Sequence, residues 1–247
     1  MTGLSSDYWH YYFVQVVIRF NGGQQAGHTV VLKNGTRHVF SNFGSGTLRG
    51  IPTYWSAYCS FSPRYILEEL SLLPTTPTLY LDPACPVTTH YDVLYNRALE
   101  LSRGENRYGS CGVGFGATID RHKQRRLRLT VTDILSPKVV YRKLQQIRAY
   151  YQDKLLPDTG YDFSLFDHDQ EDAQLMADIW QLALLKKEKI IQVVGATEIF
   201  RKRIWREYIF EGAQGIQLDQ SFGRAPYITK SNTTSQNAKN CYYNTLT

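Results

Sequence analysis

The residues best suited to chemistry lie in three glycine-rich stretches. Arg19-Phe20-Asn21-Gly22-Gly23-Gln24-Gln25-Ala26-Gly27-His28-Thr29 comes early, Arg107 to Thr118 near the middle, and Phe210-Glu211-Gly212-Ala213-Gln214-Gly215 late. Glycines bracketing amide, imidazole and hydroxyl groups suit a backbone that approaches an anion closely and places one proton donor at the reacting atom. The first and last stretches together point to a phosphate-handling active site. The middle one carries Gly109, Gly112, Gly114 and Gly116 around Ser110 and Cys111, a second loop able to wrap a ligand. A G-x-G-x-G pattern by itself says little, because flexible surface turns share it.

The elements that must position these loops are legible nearby. Phe13 to Arg19 is rich in β-branched residues and runs into Gly22-Gly23, which predicts a buried strand delivering a loop. Thr29 to Leu32 and Arg37 to Phe40 flank Lys33-Asn34-Gly35-Thr36, a hairpin signal with its turn at Asn34-Gly35. Ser62-Pro63 opens a helix through about Leu73, and a strand follows over Thr78 to Leu81. Thr88 or Thr89 caps a second helix whose Tyr91, Leu94, Ala98 and Leu101 share a face, with Gly104 ending it. Ser136-Pro137 caps a long helix carrying Val140, Leu144, Ile147 and Tyr151, and another helix covers about Gln170 to Lys186. Between them, Pro157 to Gln170 reads as a loop. Its acids Asp158, Asp162, Asp167 and Asp169 match no calcium-loop spacing and predict a solvated connection. Tyr208 to Phe210 is a short strand feeding Glu211 to Gly215. The expected fold is α/β, an open and largely parallel sheet with flanking helices and ligand loops at strand ends.

A chain of 247 residues with 43% hydrophobic content can bury a substantial core and is read as one domain. No run approaches the roughly 18 apolar residues of a membrane span, and the N-terminus lacks a signal-peptide plan, so a cytoplasmic location without membrane contact is expected. Cys59, Cys85, Cys111 and Cys241 form no C-x-x-C pair and are expected to stay reduced. Much of the net charge of +6 sits in Arg121-His122-Lys123-Gln124-Arg125-Arg126-Leu127-Arg128, and a solvated face or a small polyanionic ligand accounts for such a run. The aromatic residues are scattered and make no base-stacking cluster beside it, so nucleic acid is not the expected partner. The polar stretch Ser231 to Thr247 lacks core-forming periodicity and is expected to fray, with a disordered tail over 235–247.

Six segments occur in the order of one family's motifs: Arg19 to Thr29, Gly44-Ser45-Gly46-Thr47-Leu48, Ala84-Cys85-Pro86, Gly109 to Gly116, Phe210 to Gly215 and Pro226-Tyr227-Ile228-Thr229-Lys230-Ser231-Asn232-Thr233-Thr234. Over roughly residues 14 to 234 the chain resembles adenylosuccinate synthetase. The resemblance implies a homodimeric ligase of AMP biosynthesis that joins IMP to L-aspartate with GTP and Mg2+. In that family the 6-oxygen of IMP is phosphorylated by GTP, and the aspartate amine then displaces phosphate from 6-phosphoryl-IMP. Such chemistry rests on positioning and charge neutralisation. The resemblance also assigns residues. Gly27, His28 and Thr29 fall where the family touches the GTP phosphates, with the Gly27 carbonyl on magnesium and His28 as the acid of phosphoryl transfer. Gln25 stands in place of an asparagine that contacts IMP, and Ser110 and Cys111 in place of a threonine pair at the IMP phosphate. Gln214 and Thr229 match IMP-binding residues unchanged. Arg125 or Arg126 corresponds to an arginine that reaches IMP across the dimer.

Two departures shape the expectation. Family members begin with a strand and a Gly-Asp-Glu-Gly-Lys-Gly-Lys loop whose aspartate is the base. Here Met1 to Tyr12 is divergent, and its one acid, Asp7, lacks surrounding glycines and lysines. After Thr234 the chain runs Ser235-Gln236-Asn237-Ala238-Lys239-Asn240, without the family's glycine-rich stretch, arginine-rich aspartate loop or guanine-reading segment. The domain is therefore expected to be incomplete. Open alternatives are a ligase of the usual type, a divergent ligase acting on another purine monophosphate, and a catalytically impaired relative that still binds a purine nucleotide.

Overall fold

A computed structural model describes residues 14–243. In chain order the strands are β1 (Val16–Arg19), β2 (His28–Val31), β3 (Arg37–Phe40), β4 (Thr53–Trp55), β5 (Leu79–Leu81), β6 (Ile191–Val193) and β7 (Tyr208–Glu211). Five of them form a parallel sheet in the order β6-β5-β4-β1-β7, and β2 pairs antiparallel with β3. The Val-Val-Ile run of β1 is buried throughout, as its place inside the sheet requires. Because β1 and β7 are parallel neighbours with Arg19 opposite Glu211, the loops leaving their carboxyl ends emerge side by side.

The helices are α1 (Pro63–Leu72), α2 (His90–Ser102), α3 (Phe115–Lys123), α4 (Val131–Ile134), α5 (Pro137–Thr159), α6 (His168–Lys187), α7 (Ala196–Arg201) and α8 (Gln236–Tyr243). The main core joins Trp55, Leu79 and Leu81 of the sheet to Tyr91 of α2, Val140, Leu144, Ile147 and Tyr151 of α5, and Leu175, Ile179 and Leu182 of α6. A second cluster joins Val16, Ile18 and Tyr54 to Ile199 and Phe200 of α7, Trp205 and Cys241. The expected hairpin forms: Leu32 N–H donates to Thr36 O at 2.8 Å, Thr36 N–H to Asn34 Oδ1 at 3.0 Å, and Gly35 takes the left-handed φ of 85°. Thr89 and Asp92 make a reciprocal capping box at the start of α2.

Two expectations are corrected. The segment from Pro157 is not wholly a loop, since α5 continues through it to Thr159 and ends on left-handed Gly160. Buried Leu155 anchors that last turn, and Tyr95 Oη donates to Asp158 Oδ2 at 2.7 Å. The acids there act as caps and ion partners: Asp167 accepts from Gln170 N–H at 3.0 Å, Asp162 from Ser164 N–H at 2.9 Å, and Asp169 pairs with Arg148 at 2.8 Å. The second correction concerns the tail. Gln236–Tyr243 is helix α8, which buries Ala238 and Cys241 and sets Tyr242 edge-on to Phe200 at 5.3 Å. Tertiary packing overrides its polar composition. The divergent Met1 to Tyr12 and the last four residues lie outside the described residues.

Candidate functional site

The first and last glycine stretches meet. Gly22 has a φ of 72°, and a Cβ there would fall 2.5 Å from Ala213 Cβ and 2.9 Å from Gln214 Oε1. Only glycine permits both this conformation and this approach. Ala213 N–H donates to Asn21 Oδ1 at 2.6 Å, which ties the two loops together. The middle stretch joins them through Gln24 Nε2, which donates to Val113 O at 2.6 Å. Gly114, with a φ of 82°, starts α3. The segment carrying Thr229 is held by Thr229 N–H on Leu218 O at 2.8 Å and by the Lys230–Asp120 ion pair onto α3. Asp219, fully buried, accepts from the backbone of Ser221, Phe222 and Thr233. Burial raises its pKa, and those hydrogen bonds outweigh burial and bring it below the usual carboxylate value.

His28 opens β2 and turns inward. Its Nε2 lies 3.7 Å from Glu211 Oε1, and Glu211 is in turn 3.6 Å from Arg19 Nη1 and accepts from Ser45 N–H at 3.1 Å. His28 Nε2 is buried and has no hydrogen-bond partner. Burial lowers the His28 pKa from its ordinary value, Glu211 opposes that, and Arg19 adds to it. The net depression favours the neutral ring. An arriving phosphate would reverse the balance, because an anion beside the ring favours the imidazolium.

Buried polar atoms are normally paired, so those left unpaired are informative. Among the described residues fifteen such side-chain atoms lack a partner, and eight belong to this cleft: Arg19 Nε and Nη2, Asn21 Nδ2, Gln24 Oε1, Gln25 Oε1, His28 Nε2, Glu211 Oε1 and Gln214 Oε1. More than half of the shortfall gathers where the sequence places a ligand.

The predicted residues divide into two groups. His28, Gln25 and Gln214 converge, half-buried and with unpaired atoms, while Gly27 and Thr29 are exposed at the rim. Ser110 is exposed and exchanges hydrogen bonds with Asn96, and Cys111 beside it is exposed. Arg125 and Arg126 are exposed in the turn after α3, about 13 Å along that helix from Gly114, and are not brought to the cleft. Sequence reasoning gave no role to Arg19, Glu211 or Asn21. A charged residue closing the apolar strand Val-Val-Ile-Arg was the available signal. For magnesium, the carbonyl of exposed Gly27 is a suitable hard oxygen. Among the described residues no group of three or more His, Cys, Asp or Glu could hold a metal, so a magnesium ion here would need phosphate and water oxygens to complete its shell.

A parallel sheet whose strand ends support glycine loops lined with unpaired donors and acceptors defines an α/β protein of the class that holds ligands at strand ends. The chain belongs to the adenylosuccinate synthetase family, whose model matches residues 7–243. Adenylosuccinate synthetase of Nitrosococcus oceani is 32% identical over 234 residues, covering 91% of this chain and 52% of the relative. That of Photobacterium profundum is 32% identical over 225 residues, covering 89% and 50%. The chain thus spans about half the length of the curated relatives it matches. The fully ligated adenylosuccinate synthetase of Plasmodium falciparum shares the fold at a TM-score of 0.79 and 17% identity, covering 94% of this chain and 53% of that one. A cyanophage S-2L succinoaminodeoxyadenylate synthetase, bound to dGMP and to dATP as an energy donor, does so at 0.62 and 16%, covering 97% and 56%.

Proposed function

We propose that this chain carries the purine-monophosphate and phosphate-donor cleft of an adenylosuccinate synthetase-type ligase of purine biosynthesis, joining IMP and L-aspartate at the expense of GTP. The single observation that supports this most is the meeting of the Gly22 and Gln214 loops around His28, with unpaired polar atoms facing inward. In this reading Gln25 and Gln214 orient the purine, Ser110 and Cys111 hold its phosphate, and Thr229 closes the site. Gly27, His28 and Thr29 receive the donor phosphates. A thiol is a poorer donor than a hydroxyl, so Cys111 weakens the phosphate grip. Magnesium, held through Gly27 and the phosphates, would supply charge neutralisation. His28 turns from Glu211 towards the arriving phosphate, whose charge favours the imidazolium; the ring takes a proton from water, delivers it to the transferring group and is left neutral. The exposed Arg125 and Arg126 suit a site completed by a partner subunit, and the protein would act as a cytoplasmic homodimer.

A second reading, a divergent ligase for another purine monophosphate, draws support from Gln25, which sets an amide on a longer arm than the family's asparagine. Calorimetry with IMP or dGMP, each with GTP or dATP, separates the two. Tighter binding of IMP and GTP supports the first reading, and tighter dGMP and dATP the second. Absence of binding by any nucleotide overturns both. A colorimetric phosphate assay with aspartate then reports turnover.

A further inference from the structure

Away from the glycine loops, α1, α2 and α6 line a partly open cavity of about 140 Å3. None of its lining residues belongs to the cleft described above. Leu94, Leu175 and Phe166 supply its apolar wall, and the Phe166 ring stacks on His90 at 5.9 Å and 22°. Set into this wall are polar atoms the fold does not satisfy. Asp178 Oδ2 is buried and without a partner, although Oδ1 accepts from Gln174 at 2.8 Å and Arg64 Nε stands off at 3.8 Å. Both ring nitrogens of His90, a side chain only 7% exposed, also lack hydrogen bonds; Nε2 lies 3.0 Å from Asp172 Oδ1 but out of line. Arg64 and Glu171, paired at 2.8 Å, line both this cavity and a shallow polar groove along α1 and α6, giving the cavity a polar mouth.

A buried carboxylate oxygen seeking a donor and a flat aromatic wall of Phe166 and His90 form one recognition pattern. The ligand they fit is planar, mostly apolar and carries N–H donors. We propose that this cavity is a second binding site, separate from the glycine-loop cleft, for a small planar nitrogen heterocycle with an exocyclic amine, the amine donating to Asp178 and the ring lying against Phe166 and His90.

Calorimetric titration of the intact chain with free adenine tests this. Saturable binding is expected, weakened about tenfold or more in Asp178→Asn, which turns the free acceptor into an amide of equal size. Binding should be abolished in Leu175→Trp, which fills the cavity, and unchanged in Gln214→Ala, which alters only the cleft. Should Leu175→Trp fail to fold by circular dichroism, adenine-induced shifts of the His90 ring protons in the unmodified chain provide the same evidence. No saturable adenine binding, binding untouched by Asp178→Asn and Leu175→Trp, or binding lost in Gln214→Ala would each overturn the proposal.

Discussion

Two arginines, Arg121 and Arg19, are fully buried, and their surroundings are opposites. Arg121 reaches Asp92 through Nε and Nη2 at 2.8 and 2.9 Å, Leu127 O at 2.6 Å and Val87 O at 2.7 Å, while Tyr151 Oη donates to Asp92 at 2.8 Å. Arg19 has one carbonyl, Ser41 O at 3.2 Å, and a loose carboxylate, with Nε and Nη2 unpaired. The first network is scaffold, locking α2, α3 and α5 and so placing the middle glycine loop. The second sits where β1 and β7 end and keeps polar capacity in reserve. A saturated buried charge stiffens a fold, whereas an unsaturated one persists where a ligand can complete it.

Substituting both arginines probes this contrast most severely. Arg121→Met strands Asp92 and should cost about 3–5 kcal/mol of stability in urea unfolding. Arg19→Met should cost clearly less while eliminating nucleotide binding, and equal destabilisation by the two would erase the distinction. Next in size is His28→Asn, expected to reduce IMP- and aspartate-dependent GTP cleavage by about 10²–10⁴-fold with little change in unfolding; undiminished cleavage removes the catalytic assignment. Gly22→Ala forces a side chain at positive φ into Ala213 and should destabilise by about 1–3 kcal/mol while parting the two loops, which calorimetry with nucleotide would register. A last effect is on pH dependence. His122 beside Arg121 is depressed to about 4, by burial first and then by the charges of Arg121, Arg128 and Lys143. The unfolded chain, with an ordinary histidine near 6.5, binds this proton more readily, so the contribution to stability is full above about 6.5 and is lost as pH falls towards 4. Urea midpoints across that window should decline, and His122→Gln should flatten the decline.

Much of the architecture was legible because it depends on local rules. The Asn34-Gly35 turn and the apolar face Val140, Leu144, Ile147 and Tyr151 follow from turn chemistry and helical period and appear as read, and of the two threonines offered as a cap the structure uses Thr89. Pro157 misled because it marks a helix end only when nothing beyond it is anchored. The last helix escaped notice because two buried residues, Ala238 and Cys241, are too few to give a period. In the cleft, His28 and Gln214 stood out by their glycine neighbours, while Glu211 drew no role from its place in the motif.

The order of residues alone determined the membership of the family, the strand-to-loop junctions and the types of side chain available for phosphate chemistry, since these are carried by short contiguous motifs. Only the tertiary structure decided that Gly22 lies against Gln214, that His28 rests on Glu211 rather than pointing outward, and that Arg19 is left unsaturated while Arg121 is not. The pairing of parallel strands far apart in the chain sets those distances, and hydrogen-bond saturation is a property of neighbours in space that no local pattern encodes.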